Sequence, residues 1–386
     1  MNNKKSLFAA AVAAACAFTG APAFADDDAR SIAVFGDWPY SQALLDNAQG
    51  LINSVNGDRD VKLVMHVGDI HSGSMACTGA GLVYDQLKGG FTRNGALLTI
   101  PGVVSATNKQ VVNPAWNIHI YGDFQKFNQP VIYTPGDNEW ADCHKQKQFY
   151  SGAPLLELAA VRELFFAHAG ESLGQRTKRV TSQADAFDPA HPSDSQFVEN
   201  VMWSDEGVVY VTFNQPGGSN DDTDSWTSPF TDAVAQAQER VDRDGANLRW
   251  LDAAFDLAAR RGARAVVIGL QADMWDTEKT AKLSNFTPFV TELATRSLAF
   301  KRPVLLLNGD SHVYKADQPL VPSTGVVPTD GCASTAACDL SLIHNTPAVP
   351  NFRRIVVEGS GVGQHWLKLT IDTESKDVFS WVNVAY

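Results

Sequence analysis

Lys62-Leu63-Val64-Met65-His66-Val67-Gly68-Asp69-Ile70-His71 holds a mostly apolar run that ends in a glycine, a carboxylate and, two residues on, an imidazole. A continuous apolar run of this length reads as a buried strand, and the glycine marks the turn that ends it. An apolar run closed by Gly-Asp occurs three more times. Ser31 to Phe35 leads into Gly36-Asp37, Val131 to Thr134 into Pro135-Gly136-Asp137, and Val304 to Leu307 into Asn308-Gly309-Asp310. Carboxylates just past the ends of several strands converge on one crevice in an open α/β sheet. Without a cation they would repel one another, so the repeated pattern predicts a shared metal site.

Helical stretches lie between these runs. Gln42 to Ile52 carries Ala43, Leu44, Asn47, Ala48 and Leu51 at helical spacing. Asn247 to Arg261 places Leu248, Leu251, Phe255 and Ala258 on one face and stops at Gly262, and a strand over Ala265 to Leu270 follows directly. Strand–helix alternation predicts a layered α/β fold. Towards the end, Arg354 to Glu358, Trp366 to Ile371 and Val378 to Val382 read as strands joined by short turns, which predicts a second, mixed sheet.

The motifs and their order resemble the calcineurin-like metallophosphoesterases, including the purple acid phosphatase branch. The family's ordered motifs are Asp-x-His, Gly-Asp, Gly-Asn-His-Glu, a lone His, and Gly-His-x-His. The matching segments here are Phe35-Gly36-Asp37-Trp38-Pro39-Tyr40, Val67-Gly68-Asp69-Ile70-His71, Pro135-Gly136-Asp137-Asn138-Glu139, Gly269-Leu270-Gln271 and Gly309-Asp310-Ser311-His312. The resemblance implies a four-layer αββα sandwich of two mixed sheets flanked by helices, over residues 26–386. It also implies a phosphoester hydrolase in which a metal-activated hydroxide attacks phosphorus in line. The metal ligands would be Asp37, Asp69, Asp137, Gln271, Asp310 and His312, with Asp69 as the bridge.

Several matched positions depart from the family. Pro39 replaces the histidine of the first motif, Asp137 the asparagine ligand, Gln271 the lone histidine and Asp310 the first histidine of the last motif. Oxygen donors therefore dominate, which favours one or two Mg²⁺, Mn²⁺ or Ca²⁺ ions over Zn²⁺. Asn138 stands at the family's catalytic histidine and carries no ionisable proton. His71 is the candidate substitute donor, and His365 a second one. His66, inside a strand, reads as a packing residue. Tyr40 and Trp140 flank the motifs and would line the pocket. The alternative function on the same scaffold is a metal- or phosphate-binding protein with weakened turnover.

Other chemistries lack their signatures. There is no His-Glu-x-x-His and no Walker loop, and Ser360 lacks the outer glycines of a nucleophile elbow. Asn220-Asp221-Asp222-Thr223-Asp224 lacks the glycine and terminal glutamate of a calcium loop and reads as a solvated acidic turn.

The ends and insertions add context. Lys4-Lys5, an apolar stretch from Leu7 to Phe18 and Ala23-Phe24-Ala25 predict a signal peptide over residues 1–25, hence a periplasmic or secreted chain without a membrane anchor. Loss of Lys4 and Lys5 takes the net charge from −12 to −14. This acidity argues against nucleic acid as a partner and requires a small phosphorylated substrate to be attracted locally, by metal or by a few cations. Of the cysteines left after cleavage, Cys332 and Cys338 share one loop and are expected to close it. Cys77 and Cys143 then remain to pair. Long insertions are expected at about 72–130 and 170–200.

Overall fold

The structure, a computed structural model, describes residues 30–78, 82–85, 90–93, 96–97, 116–221, 225–277, 282–323, 338–359 and 364–386. Its strands are β1 (Arg30–Phe35), β2 (Val61–His66), β3 (Leu82–Asp85), β4 (Gly90–Arg93), β5 (Ala96–Leu97), β6 (Val131–Tyr133), β7 (Thr181–Ser182) and β8 (Val201–Asp205). There follow β9 (Val208–Thr212), β10 (Ala265–Gly269), β11 (Val304–Asn308), β12 (Lys315–Asp317), β13 (Phe352–Val356), β14 (His365–Ile371) and β15 (Phe379–Ala385). One five-stranded sheet has the order β15-β14-β1-β2-β6, and a seven-stranded sheet has β12-β13-β11-β10-β9-β8-β7. Strands β3, β4 and β5 form a small separate sheet.

Side-chain alternation shows how the layers stack. Along β1, Ile32 and Val34 pack with Val267, Leu305, Leu307 and Ile355 of the other sheet. Ala33 and Phe35 face the opposite way, among Leu51, Ile52, Trp116, Ile120 and Phe165. Those residues come from the helices Ala48–Gly57, Trp116–Phe124 and Pro154–Phe165. On the far face of the second sheet, Val266, Ile268 and Leu306 meet Leu251, Phe255, Val290 and Leu293. These belong to the helices Ala233–Arg261 and Thr287–Phe300. A strand with both faces buried must be apolar at successive positions, which is why β2 and β11 read as continuous runs. The architecture is the expected αββα sandwich of two mixed sheets.

Three local expectations need correction. The stretch Gln42–Ile52 is two helices, Gln42–Asp46 and Ala48–Gly57, because Asn47 leaves the helical region at φ −93°, ψ 9°. The tail strands do not form a sheet of their own. Strand β13 joins the seven-stranded sheet in parallel with β11, while β14 and β15 extend the five-stranded sheet. The acidic turn is not solvated where it is described, since Asn220 and Asp221 are buried. The expected signal peptide and Cys332 lie outside the described residues, as do much of the first insertion and residues 222–224. The second insertion carries buried Gln183, Asp194 and Glu199, so it packs against the body.

Strands β1, β2 and β6 run parallel in one sheet, as do β9, β10, β11 and β13 in the other. Their carboxyl ends therefore open on one edge, and every matched motif sits there.

Cys77 and Cys143 form a disulfide with a Cα–Cα distance of 5.8 Å, closing a separation of 66 residues. Cys338 is also disulfide-bonded. A loop of that length predicts that Cys77→Ala with Cys143→Ala lowers unfolding stability by about 4 kcal/mol, read from denaturant midpoints. No helix among the described residues is long and apolar enough to cross a membrane.

Two buried histidines predict acid sensitivity. His66 is fully buried, and His344 sits between Thr287 and the Met274 carbonyl, 2.9 and 2.8 Å away. Burial pushes both imidazoles down to about 4. Unfolded histidine takes its proton near pH 6.5, so the stability each neutral ring contributes is present above that pH and is lost as the pH falls towards 4. For His344 the full effect is roughly 3 kcal/mol. The stability difference between wild type and His344→Gln should therefore shrink by that order between pH 7 and pH 4. A difference that stays constant with pH would contradict it.

Candidate metal centre

The turns after β1, β2 and β11 are built to bring carboxylates together. Asp37, Asp69, Asp310 and His312 all take left-handed backbone conformations, at φ 49°, 61°, 74° and 64°. Such positions cost non-glycine residues of order 1 kcal/mol each and cluster where function needs them. The neighbouring glycines allow close approach. A methyl group on Gly136 would overlap the Asp69 carboxylate, and one on Gly309 would overlap that of Asp37.

Asp37, Asp69 and His312 offer ligand atoms that all lie within 4.8 Å of one another, so this group could hold a metal ion. His312 Nε2 is 3.2 Å from Asp37 Oδ1. Tyr40 completes the group. Its hydroxyl lies 3.0 Å from Asp37 Oδ1, 2.9 Å from Asp69 Oδ2 and 3.1 Å from His312 Nε2. Burial, then the charges of Asp37 and Asp69, push the phenol well above its ordinary pKa. The sequence placed Tyr40 only near the pocket; its Gly-Asp-x-x-Tyr spacing was the available signal.

On its other contacts Asp69 meets amides. Asn138 Nδ2 donates to Asp69 Oδ2 at 2.8 Å, and Gln271 Nε2 donates to Asp69 Oδ2 at 3.3 Å and to Asp137 Oδ1 at 3.1 Å. Gln271 is oriented by a backbone N–H, which only donates, and Asn138 by an ionised Asp69, which only accepts. Gly217 N donates to Gln271 Oε1, and Gln148 Nε2 donates to Asn138 Oδ1 at 3.0 Å. Both amide oxygens are thus engaged away from the carboxylates. Gln271, expected as a metal ligand, faces Asp69 and Asp137 with its nitrogen.

Of the six expected ligands, Asp37, Asp69 and His312 are the three whose ligand atoms share that space. Asp137 accepts from Gln271, and Asp310 Oδ2 accepts from the Asp273 backbone N–H at 2.9 Å. Neither belongs to the Asp37–Asp69–His312 group. Burial and the neighbouring carboxylates push Asp69 and Asp310 well above the usual carboxylate range, and burial with Asp142 pushes Asp137 to about 6. Glu139 ties the turns together, accepting from Ile70 N at 2.9 Å, Tyr133 Oη at 2.9 Å and Gly136 N at 3.1 Å.

A turn after β9 covers Asp137 and Asp310. Gly218, Ser219, Asn220 and Asp221 take φ between 55° and 63°, one turn of left-handed helix. Side chains at Gly217 and Gly218 would meet Asp310 and Asp137 respectively. Arg243, fully buried on the long helix, donates to Asn220 and lies over the Trp140 ring at 5.8 Å. No family motif marks this turn, so the sequence reading missed it.

His71 is buried, with Nδ1 3.1 Å from the Ser72 carbonyl, and burial pushes its imidazole down to about 4. Burial thus favours the neutral ring. His365 pairs with Glu358 at 2.7 Å.

No family model matches the chain, and no curated protein matches it. Among solved structures it is similar to "GAP50 the anchor in the inner membrane complex of Plasmodium". Identity is 8%, coverage 92% of this chain and 89% of that one, and the TM-score 0.40.

Proposed function

We propose that this chain is a metal-dependent protein of the calcineurin-like metallophosphoesterase type, with a one-cation centre and hydrolysis confined to phosphoesters with good leaving groups. The observation that carries this reading is the contrast across Asp69. Asp37, Asp69 and His312 present two carboxylates and an imidazole, a donor set that fits a hard or borderline divalent ion such as Mn²⁺ or Mg²⁺. The amides of Asn138 and Gln271 instead present N–H groups where a second ion would need lone pairs, so these residues do not fit a two-cation centre.

A cation held there would supply positive charge for a phosphoryl group and lower the pKa of water. The protein's own part is to fix the ligands. Tyr40 links Asp37, Asp69 and His312 through one hydroxyl, and Gly217 holds Gln271 so that its N–H groups steady Asp69. Asn138, beside Asp69, can orient an oxygen by donating a hydrogen bond but cannot release a proton at neutral pH. The proposed activity lies between the efficient hydrolase and the binding protein read from sequence.

Calorimetric titration of the purified chain with Mn²⁺ tests the reading. One ion per chain is expected; two ions with similar affinity, or none, would refute it.

A further inference from the structure

We propose that Lys145 and Lys147 form the anion-recognising edge of this site and select a dianionic phosphoryl group, as in a phosphate monoester, over the monoanion of a diester. The proposal rests on the one-cation reading.

The two lysines follow the third motif on short 3₁₀ turns, Ala141–His144 and Gln146–Gln148. Lys145 Nζ and Lys147 Nζ grip the two oxygens of Asp142, at 2.7 and 2.8 Å. The Asp142 side chain is only 4% exposed, while those of Lys145 and Lys147 are 19% and 53% exposed. The two ammonium groups serve Asp142 and the neighbouring Asp137 together, and it is the lysines rather than the Asp142 carboxylate that reach solvent.

Their position relates them to the centre. A methyl group at Gly218 would stand 3.2 Å from Asp137 Oδ2 and 3.8 Å from Lys145 Nζ. One at Gly73 would stand 3.0 Å from Lys147 Nζ and 2.6 Å from Asn138 Oδ1. Lys145 therefore flanks Asp137, and Lys147 flanks Asn138. Asn138 and Gln271, the latter bonded to Asp137, are the amides that reach Asp69. Ammonium groups thus stand beside Asp137 and Asn138, at the positions that match the family's asparagine ligand and catalytic histidine.

The whole-chain charge gives this weight. A chain of net charge −12 repels anions at long range, so a phosphate ligand has to be recognised by local cations. A monoester dianion has three terminal oxygens, enough to meet a cation and two ammonium groups together. A diester has two, and it carries one negative charge fewer.

Orthophosphate binding should be measured by calorimetry with and without Mn²⁺, on wild type, Lys145→Met, Lys147→Met and Lys147→Arg. Turnover of p-nitrophenyl phosphate and bis(p-nitrophenyl) phosphate should be followed alongside. Each methionine variant is expected to weaken orthophosphate binding about tenfold. KM for the monoester should rise similarly and by a larger factor than KM for the diester, and Lys147→Arg should restore binding. If Mn²⁺ binds but orthophosphate affinity ignores both lysines, they serve only Asp142 and the proposal fails while the one-cation reading stands. Absence of orthophosphate binding under both conditions also overturns it. Lysine-dependent orthophosphate binding in a chain that takes no Mn²⁺ would support the lysine assignment and sink the one-cation reading instead.

Discussion

Asp69→Ala is expected to abolish saturable Mn²⁺ binding and all metal-dependent phosphoester turnover while the chain stays folded. Asp69 is the carboxylate on which the site converges, meeting Tyr40 and Asn138 at 2.9 and 2.8 Å and Gln271 at 3.3 Å. Its loss removes one of the three proposed ligands, so affinity should fall by more than the roughly 10–100-fold that follows loss of a supporting partner. Unfolding would not explain the result. Burial and the charges of Asp137 and Glu139 already push the Asp69 carboxyl well above its usual range, so the metal-free protein holds it at a cost. Asp69→Asn should accordingly melt no lower than metal-free wild type. It should also lose the stabilisation that excess Mn²⁺ gives wild type, about 2.7 kcal/mol at a hundred times Kd. Turnover that survives in Asp69→Ala would place the chemistry outside this centre.

The second large effect is a steep dependence of rate on the leaving group. In-line displacement needs charge relief on the departing oxygen, and general acid help is worth roughly 10²–10⁴-fold. Asn138 supplies a hydrogen bond but no proton, and buried His71, with its imidazole near 4, is a poor substitute. Aryl phosphates should therefore turn over measurably while simple alkyl phosphates lag by several further orders of magnitude than their intrinsic reactivity dictates. Asn138→His should selectively raise the rate on poor leaving groups, towards the roughly 10²-fold end of that range. His71→Ala should leave the leaving-group slope unchanged. A slope that flattens in wild type, or steepens in His71→Ala, would show that a proton donor is present after all.

The strand ends were legible because their signal is local. An apolar run closed by Gly-Asp needs only neighbouring residues, and β1, β2, β6 and β11 fall where those runs predict. Asp37, Asp69 and His312 also meet as the motif order implied. The Cys77–Cys143 pairing followed from how few cysteines there were to pair.

The orientation of an amide is not local. Gln271 was read as an oxygen ligand, since its sequence position says nothing about which end faces Asp69. That choice is made by Gly217, 54 residues away, whose N–H can only donate and so claims the oxygen. Tyr40 and the lysine pair entered the site in the same way. Sequence by itself determined the layered fold, the strand ends carrying Asp37, Asp69, Asp137 and Asp310, and the shortage of imidazoles among them. Tertiary structure decided which of those carboxylates share a cation-sized space and which face N–H donors. Periodicity and turn chemistry act over a few residues, whereas donor–acceptor matching in a buried site is settled only when segments from both sheets are packed against one another.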